Sequence, residues 1–148
     1  ELKYHGQKHI GLEMGKVFGL ELTGTGFANA DVIIPVPLHA SKQIKRGYNQ
    51  SELIAKGISV ALNIPLEPGL MRRISATPTQ TKKTRYERWE NVNRRFAVDH
   101  QHLLVNKHVL LVDDVITTGA TLESCAMQLL QTEGVSVSIA ALACVKLQ

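Results

Sequence analysis

The 148 residues, 44% of them hydrophobic and 20% charged, suffice for one domain with a real core. No apolar run reaches the ~20 residues of a membrane span. No secretory leader opens the chain, although it starts without Met and reads equally as part of a longer protein. Two cysteines are too few for a disulfide framework, so a reducing, cytoplasmic setting is expected.

The net charge of +4 is unevenly spread. Residues 71–95 hold eight basic and two acidic side chains, leaving the remainder slightly acidic. Such a segment serves an anionic partner, polyphosphate or nucleic acid, or is a solvated basic loop.

In chain order, residues 9–22 are predicted as an amphipathic helix burying Ile10, Met14, Val17, Phe18 and Leu22. His5 and His9 are four apart, but Gly6 intervenes and no third ligand is near, so no metal is expected there. Residues 31–37 are a short β-branched strand closed by Pro35 and Pro37, which cannot donate to a ladder. The bond between Val36 and Pro37 is a candidate for cis in so tight a turn. Residues 38–47 read as a basic loop carrying Lys42, Lys45 and Arg46. Residues 49–62 read as a helix burying Leu53, Ile54, Ile58 and Leu62, and residues 63–66 as a short second strand.

Residues 71–98 are too polar for core apart from Trp89, Phe96 and Val98. They are predicted as a hood or flap: an extended stretch, a short helix over 84–93 and a strand over 95–98. The bond between Thr77 and Pro78 excludes helix in its middle. His100, His102, Asn106 and Lys107 make a turn. The four apolar residues from Val109 to Val112 then form a strand buried on both faces, and Asp113 and Asp114 fall where it should end. Thr117, Thr118, Gly119, Ala120 and Thr121 lead into a helix over 121–131 with Leu122, Cys125, Ala126, Leu129 and Leu130 inward and Gly134 as its cap. Residues 135–145 form a last strand. Cys125 and Cys144 are both expected as buried thiols. The order is α/β: a parallel sheet flanked by helices.

A glycine-containing turn at a helix N-terminus offers N–H groups to a phosphate. Carboxylates beside it accept hydrogen bonds from vicinal hydroxyls. A ribose 5-phosphate satisfies both halves, at the carboxyl ends of parallel strands where ligands bind. An ordinary buried strand with an acidic turn is the plainer alternative. A phosphoacceptor receiver domain also carries an acid pair, but only 34 residues follow Asp114, too few for its remaining strands.

The stretch VLLVDDVITTGATL resembles the binding signature of type I phosphoribosyltransferases, which use phosphoribosyl pyrophosphate. The resemblance narrows at Ile34-Pro35-Val36-Pro37-Leu38-His39 and Arg46-Gly47-Tyr48-Asn49-Gln50, which are similar to the ComF family of competence-associated phosphoribosyltransferases. Arg73, Thr77, Gln80, Arg88, Asn91 and Phe96 continue that family's pattern. Lys42 stands where arginine is usual, which weakens a bidentate phosphate contact while keeping the charge. Lys83 stands where leucine is usual.

The resemblance implies one phosphoribosyltransferase domain over 1–148, with a flexible flap at about 71–98. The zinc ribbon common in the family is not seen in this sequence, either because the fragment lacks it or because the protein never had it, and no zinc is expected. Asp113 and Asp114 would hold the ribose 2′ and 3′ hydroxyls, directly or through the hydration shell of Mg²⁺. Thr117, Thr118, Gly119, Ala120 and Thr121 would hold the 5-phosphate. Pro37, Leu38, His39, Lys42 and Arg46 would take the pyrophosphate, and Gln80, Arg85 and Arg88 would close over it. No direct protein ligand to the metal and no protein nucleophile is implied. Thr117 stands where hypoxanthine-guanine enzymes carry aspartate, which disfavours that acceptor, and the acceptor is left unidentified. Three functions stay open: a transferase, a non-catalytic sensor of phosphoribosyl pyrophosphate, and a competence factor handling single-stranded DNA, with Tyr86 and Trp89 to stack bases. Competence-machinery partners and a homodimer are left open too.

Overall fold

The structure, a computed structural model, describes residues 2–74 and 95–146. Strands β1 (Val32–Pro35), β4 (His108–Ile116) and β5 (Ser136–Cys144) form one sheet in the order β1-β4-β5, all parallel. Strands β2 (Met71–Arg73) and β3 (Phe96–Val98) pair antiparallel as a separate two-stranded unit at the base of the basic segment. The expected parallel sheet with helical cover is present. The expected helix over 84–93, and Gln80, Lys83, Arg85, Tyr86, Arg88 and Trp89 with it, lie outside the described residues.

Each face of β4 has its own core, because alternate residues of a strand point to opposite sides. Leu110 and Val112 pack with Ile33, Ile54, Ile58 and Leu22 under helices α1 (Leu2–Leu22) and α3 (Gln50–Leu62). Val109 and Leu111 pack with Ile34, Phe96, Leu122 and Leu129 under helix α4 (Ala120–Leu129) and the β2–β3 pair. Each fully buried Leu, Ile or Phe contributes roughly 1.5–3 kcal/mol relative to exposure.

Several boundaries differ from expectation, each for a physical reason. Helix α1 begins at Leu2 and runs through Gly6. Ile10, Met14 and Val17 are exposed, at 56%, 46% and 62%. The face turned to α3 is instead Gly11, Gly15 and Gly19, spaced one turn apart. A Cβ at Gly15 would stand 2.2 Å from the Ile54 carbonyl oxygen, and one at Gly57 2.3 Å from that of Leu12. The two backbones therefore cross in near contact, and small residues, not large apolar ones, make the joint.

The expected basic loop contains a helix, α2 (Ala40–Arg46), with His39 as its N-cap and Gly47 in the left-handed conformation at its end. The bond between Val36 and Pro37 is trans. The short second strand shrinks to one parallel bridge, Leu66 to Ile33, with Asn63 in the left-handed region closing α3. Ile54 and Ile58 are buried as expected; Leu53 and Leu62 are only partly so.

Strand β4 does not stop at Val112. It pairs with β5 as far as Ile116, so Asp113 and Asp114 sit within the strand, just past the last pairing with β1 at Pro35. Helix α4 ends at Leu129, and Leu130 is 55% exposed. Gly134 is therefore not its cap. Its φ of +70° belongs to the turn into β5, where a Cβ would collide with the Asn106 side chain. Cys125 is buried, but Cys144 is exposed, because β5 runs past the helical cover at its carboxyl end.

Candidate functional site

The carboxyl ends of β1 and β4 lie side by side, and the chain leaves each by a different device. At β1, prolines stop the ladder, although Val36 N–H still donates to Val112 O at 2.8 Å. The chain then turns into α2, whose cap uses His39: Nδ1 accepts from Ser41 N–H at 3.4 Å and lies 2.8 Å from Ser41 Oγ. At β4 the acid pair is followed by a turn in which Gly119, at φ +81°, reverses the chain into α4. Most L residues avoid that conformation, so glycine is required there. Thr118 Oγ1 accepts from Ala120 N–H at 3.3 Å and shapes the same turn.

Two cavities meet at Asp113. One, of about 40 Å³, is enclosed by the turn itself, with Asp113, Thr117, Thr118, Gly119, Ala120 and Thr121 among its walls. The other, of about 150 Å³, has Pro37, Leu38 and Arg46 on one side and Asp113, Asp114 and Thr121 on the other. The structure thus brings together ten residues of the expected site from two distant segments: Pro37, Leu38, Arg46, the acid pair, and the turn at Thr117, Thr118, Gly119, Ala120 and Thr121; Val36, which was not among those expected, lines the same cleft. His39 is engaged as the α2 cap, and Lys42 is exposed on α2 and lines neither cavity. Gln80, Arg85 and Arg88 lie outside the described residues.

Asp113 is half-buried. Its Oδ1 accepts from Ser51 Oγ and from Asp114 N–H, both at 2.9 Å. Burial pushes its carboxyl above the ordinary value; those two hydrogen bonds pull against the rise, and the adjoining Asp114 carboxyl adds to it. Asp114 Oδ1 accepts from Val115 N–H at 2.8 Å.

Three contributors carried no assigned role in the sequence reading. Asn49 caps α3 by accepting from Ser51 N–H at 3.1 Å, while its Nδ2 donates to Val36 O at 3.0 Å. Ser51 reaches the acid pair from α3. Arg73, half-buried at the end of β2 with its guanidinium 5.4 Å from the Phe96 ring centre, lines the larger cavity. Asn at the start of an amphipathic run is a cap signal, so Asn49 had a local signature. Arg73 stood in the family-like pattern without a role attached to it, and nothing local in the sequence announces Ser51.

Two further cavities flank this cleft. One of about 250 Å³ lies between Pro35, Pro37 and the β2 residues Met71, Arg72 and Arg73. One of about 260 Å³ lies toward α1, with Tyr48, Gln50, Arg46 and Asp114 in its wall. Tyr48 is held there by its hydroxyl, which donates to Gln7 Oε1 at 3.0 Å, with Lys8 Nζ 5.6 Å from its ring centre.

Comparison with known proteins bears on this geometry. The chain is 38% identical over 106 residues to competence protein F of Haemophilus influenzae, covering 71% of this chain and 46% of that protein. It is 30% identical over 143 residues to the DNA utilization protein YhgH of Shigella flexneri, covering 94% and 62%. With competence protein ComFC of Bacillus subtilis the identity is 31%, covering 68% and 38%. The chain thus spans less than two thirds of the length of these curated relatives. Among solved structures, the glutamine phosphoribosylpyrophosphate amidotransferase of B. subtilis superposes with a TM-score of 0.61 at 22% identity, covering 88% of this chain and 26% of that one. The adenine phosphoribosyltransferase of Leishmania tarentolae gives 0.53 at 21%, covering 90% and 57%. These likenesses establish the fold, that of the type I phosphoribosyltransferases. The family model described as the phosphoribosyl transferase domain matches residues 30–147, a span that contains β1, the acid pair and the threonine turn, and the chain belongs to that family.

Proposed function

We propose that this chain binds phosphoribosyl pyrophosphate together with Mg²⁺ at the rim of β1 and β4 and transfers ribose 5-phosphate to an acceptor. The observation that carries the reading is the convergence of an acid pair, a threonine turn at a helix N-terminus and the Pro37-to-Arg46 segment on one cleft. The turn takes the 5-phosphate, since N–H groups and the positive end of α4 point there. Asp113 and Asp114 accept from the ribose diol. Arg46 and the backbone at Pro37 and Leu38 face the pyrophosphate.

Two half-buried carboxylates suit a Mg²⁺ that would be held by the ligand's phosphate and ribose oxygens and by water, with Asp113 and Asp114 meeting its hydration shell. When bound, the ion would supply positive charge to offset that on the departing pyrophosphate. The residues themselves supply orientation and electrostatic complementarity, and no protein nucleophile is needed. Arg73, between the cleft and the cavity beside β2, is placed to meet an acceptor or the pyrophosphate. Action in the cytoplasm belongs to the same reading; among the described residues no helix is long and apolar enough to cross a membrane.

The names of the curated relatives, competence and DNA utilization, favour a second reading: a nucleic-acid handling factor working through the basic segment 71–95. One experiment separates the readings. The protein is incubated with phosphoribosyl pyrophosphate, Mg²⁺ and a panel of purine, pyrimidine and amine acceptors, and pyrophosphate release is measured. Release that depends on one acceptor is expected. Binding without release for any acceptor favours a sensor. Single-stranded DNA binding at micromolar concentration that falls steeply with salt, without release, favours the second reading.

A further inference from the structure

We propose that Ser51 is a positioning residue for the sugar site: its hydroxyl orients the Asp113 carboxylate so that the oxygen left over accepts from the ribose diol. The inference rests on the reading of the acid pair as the diol site.

Ser51 is the second residue of α3, 5% exposed. A serine there often serves the helix start, but here that role is already filled. The Asn49 side chain accepts from Ser51 N–H, so the cap is complete without the Ser51 hydroxyl. The hydroxyl is spent elsewhere. It donates to Asp113 Oδ1 at 2.9 Å, across 62 positions of sequence. The same oxygen takes the Asp114 N–H at 2.9 Å. Two donors on one oxygen fix the plane of the carboxylate and leave Oδ2 for a ligand.

The neighbouring contact has the same logic. Asn49 Nδ2 donates to Val36 O at 3.0 Å. The first residues of α3 therefore hold the rim of β1 with one side chain and the rim of β4 with another. Asn49 is 8% and Ser51 5% exposed, so both donors are largely shielded from water, and a hydrogen bond to a charged group is stronger there. A carboxylate that must receive two vicinal hydroxyls gains from being held before they arrive.

The test uses ribose 5-phosphate and 2-deoxyribose 5-phosphate as paired probes, titrated calorimetrically into the wild-type protein, Ser51→Ala and Ser51→Thr, with thermal melting of each. Wild type is expected to prefer the ribose compound. Ser51→Ala is expected to lose roughly tenfold in affinity for it, the scale of one charge-assisted hydrogen bond, and less than twofold for the deoxy compound. Ser51→Thr keeps the hydroxyl and is expected to keep the wild-type preference. Equal losses for both sugars, or no loss for either, would overturn the inference, as would a threonine variant that behaves like alanine while melting normally. A wild-type protein that binds both sugars equally removes the diol reading itself, and this inference with it.

Discussion

Asp113 carries the tension between site and stability. Its carboxyl sits above the ordinary 3.8 chiefly because it is half-buried. The native state therefore holds that proton more tightly than the unfolded chain does. Stability from this group is present below the unfolded value and is lost as pH rises through the raised folded value. At neutral pH the ionised Asp113 is a net cost, one that the proposed ligand would account for. Asp113→Asn keeps an oxygen for Ser51 and carries no charge. It is expected to melt a few degrees higher than wild type at pH 7, with the gap closing toward pH 4, while ribose 5-phosphate affinity falls. Scanning calorimetry at the two pH values checks this; a lower melting point at pH 7 would contradict it. The thiols give a second prediction. Burial, then the nearby Asp113 charge, push Cys125 up to about 12, against a weaker pull from Arg73, so it stays a thiol at pH 8. One thiol, Cys144, should react rapidly with an aromatic disulfide reagent in the native protein, and Cys125 only on unfolding; two fast thiols would contradict the packing. At this scale the sequence was most readable where the site is contiguous. Asp113, Asp114 and the threonine turn lie in one run of residues. Ser51 was not readable, because its partner is 62 positions away and a serine carries no mark of what it will face.

The helices teach a different lesson. Hydrophobic periodicity pointed Ile10, Met14 and Val17 inward, and the fold turned them out. The rule fails when close approach of two backbones governs the packing, since the residues that permit it have no side chain to count. Gly15 and Gly57 are such residues. Alanine at Gly15 gains up to about 1 kcal/mol in helix propensity but overpacks a joint that has no room, at a cost of roughly 1–3 kcal/mol or more. Gly15→Ala should therefore lower the melting temperature by several degrees. Gly6, on the same helix with nothing within 4 Å of an added Cβ, should show the opposite sign, a small rise on Gly6→Ala. A tolerated Gly15→Ala would mean that α1 and α3 do not cross so closely. Other misses were of local propensity. Strand β4 runs on through the acids because Val115 and Ile116 are β-branched and β5 extends alongside to pair with them. The segment after Pro37 hid a seven-residue helix, too short for periodicity to register.

At the scale of the whole molecule, the alternation of strand and helix was enough to indicate a parallel sheet with two covered faces, and both hydrophobic clusters follow from it. What composition could not convey is how two segments more than 60 residues apart share one cleft. That follows from β1 and β4 being neighbours in register, Val32 beside Val109 and Pro35 beside Val112, so that whatever leaves one strand meets whatever leaves the other. The proposed function puts a phosphorylated ribose at this junction. Titration calorimetry of phosphoribosyl pyrophosphate with Mg²⁺ into the wild type and the Asp113→Asn, Asp114→Asn double variant tests it most directly. Binding to the wild type is expected, with its loss in the double variant, which should melt no lower than wild type. Binding of equal strength to both proteins would contradict it.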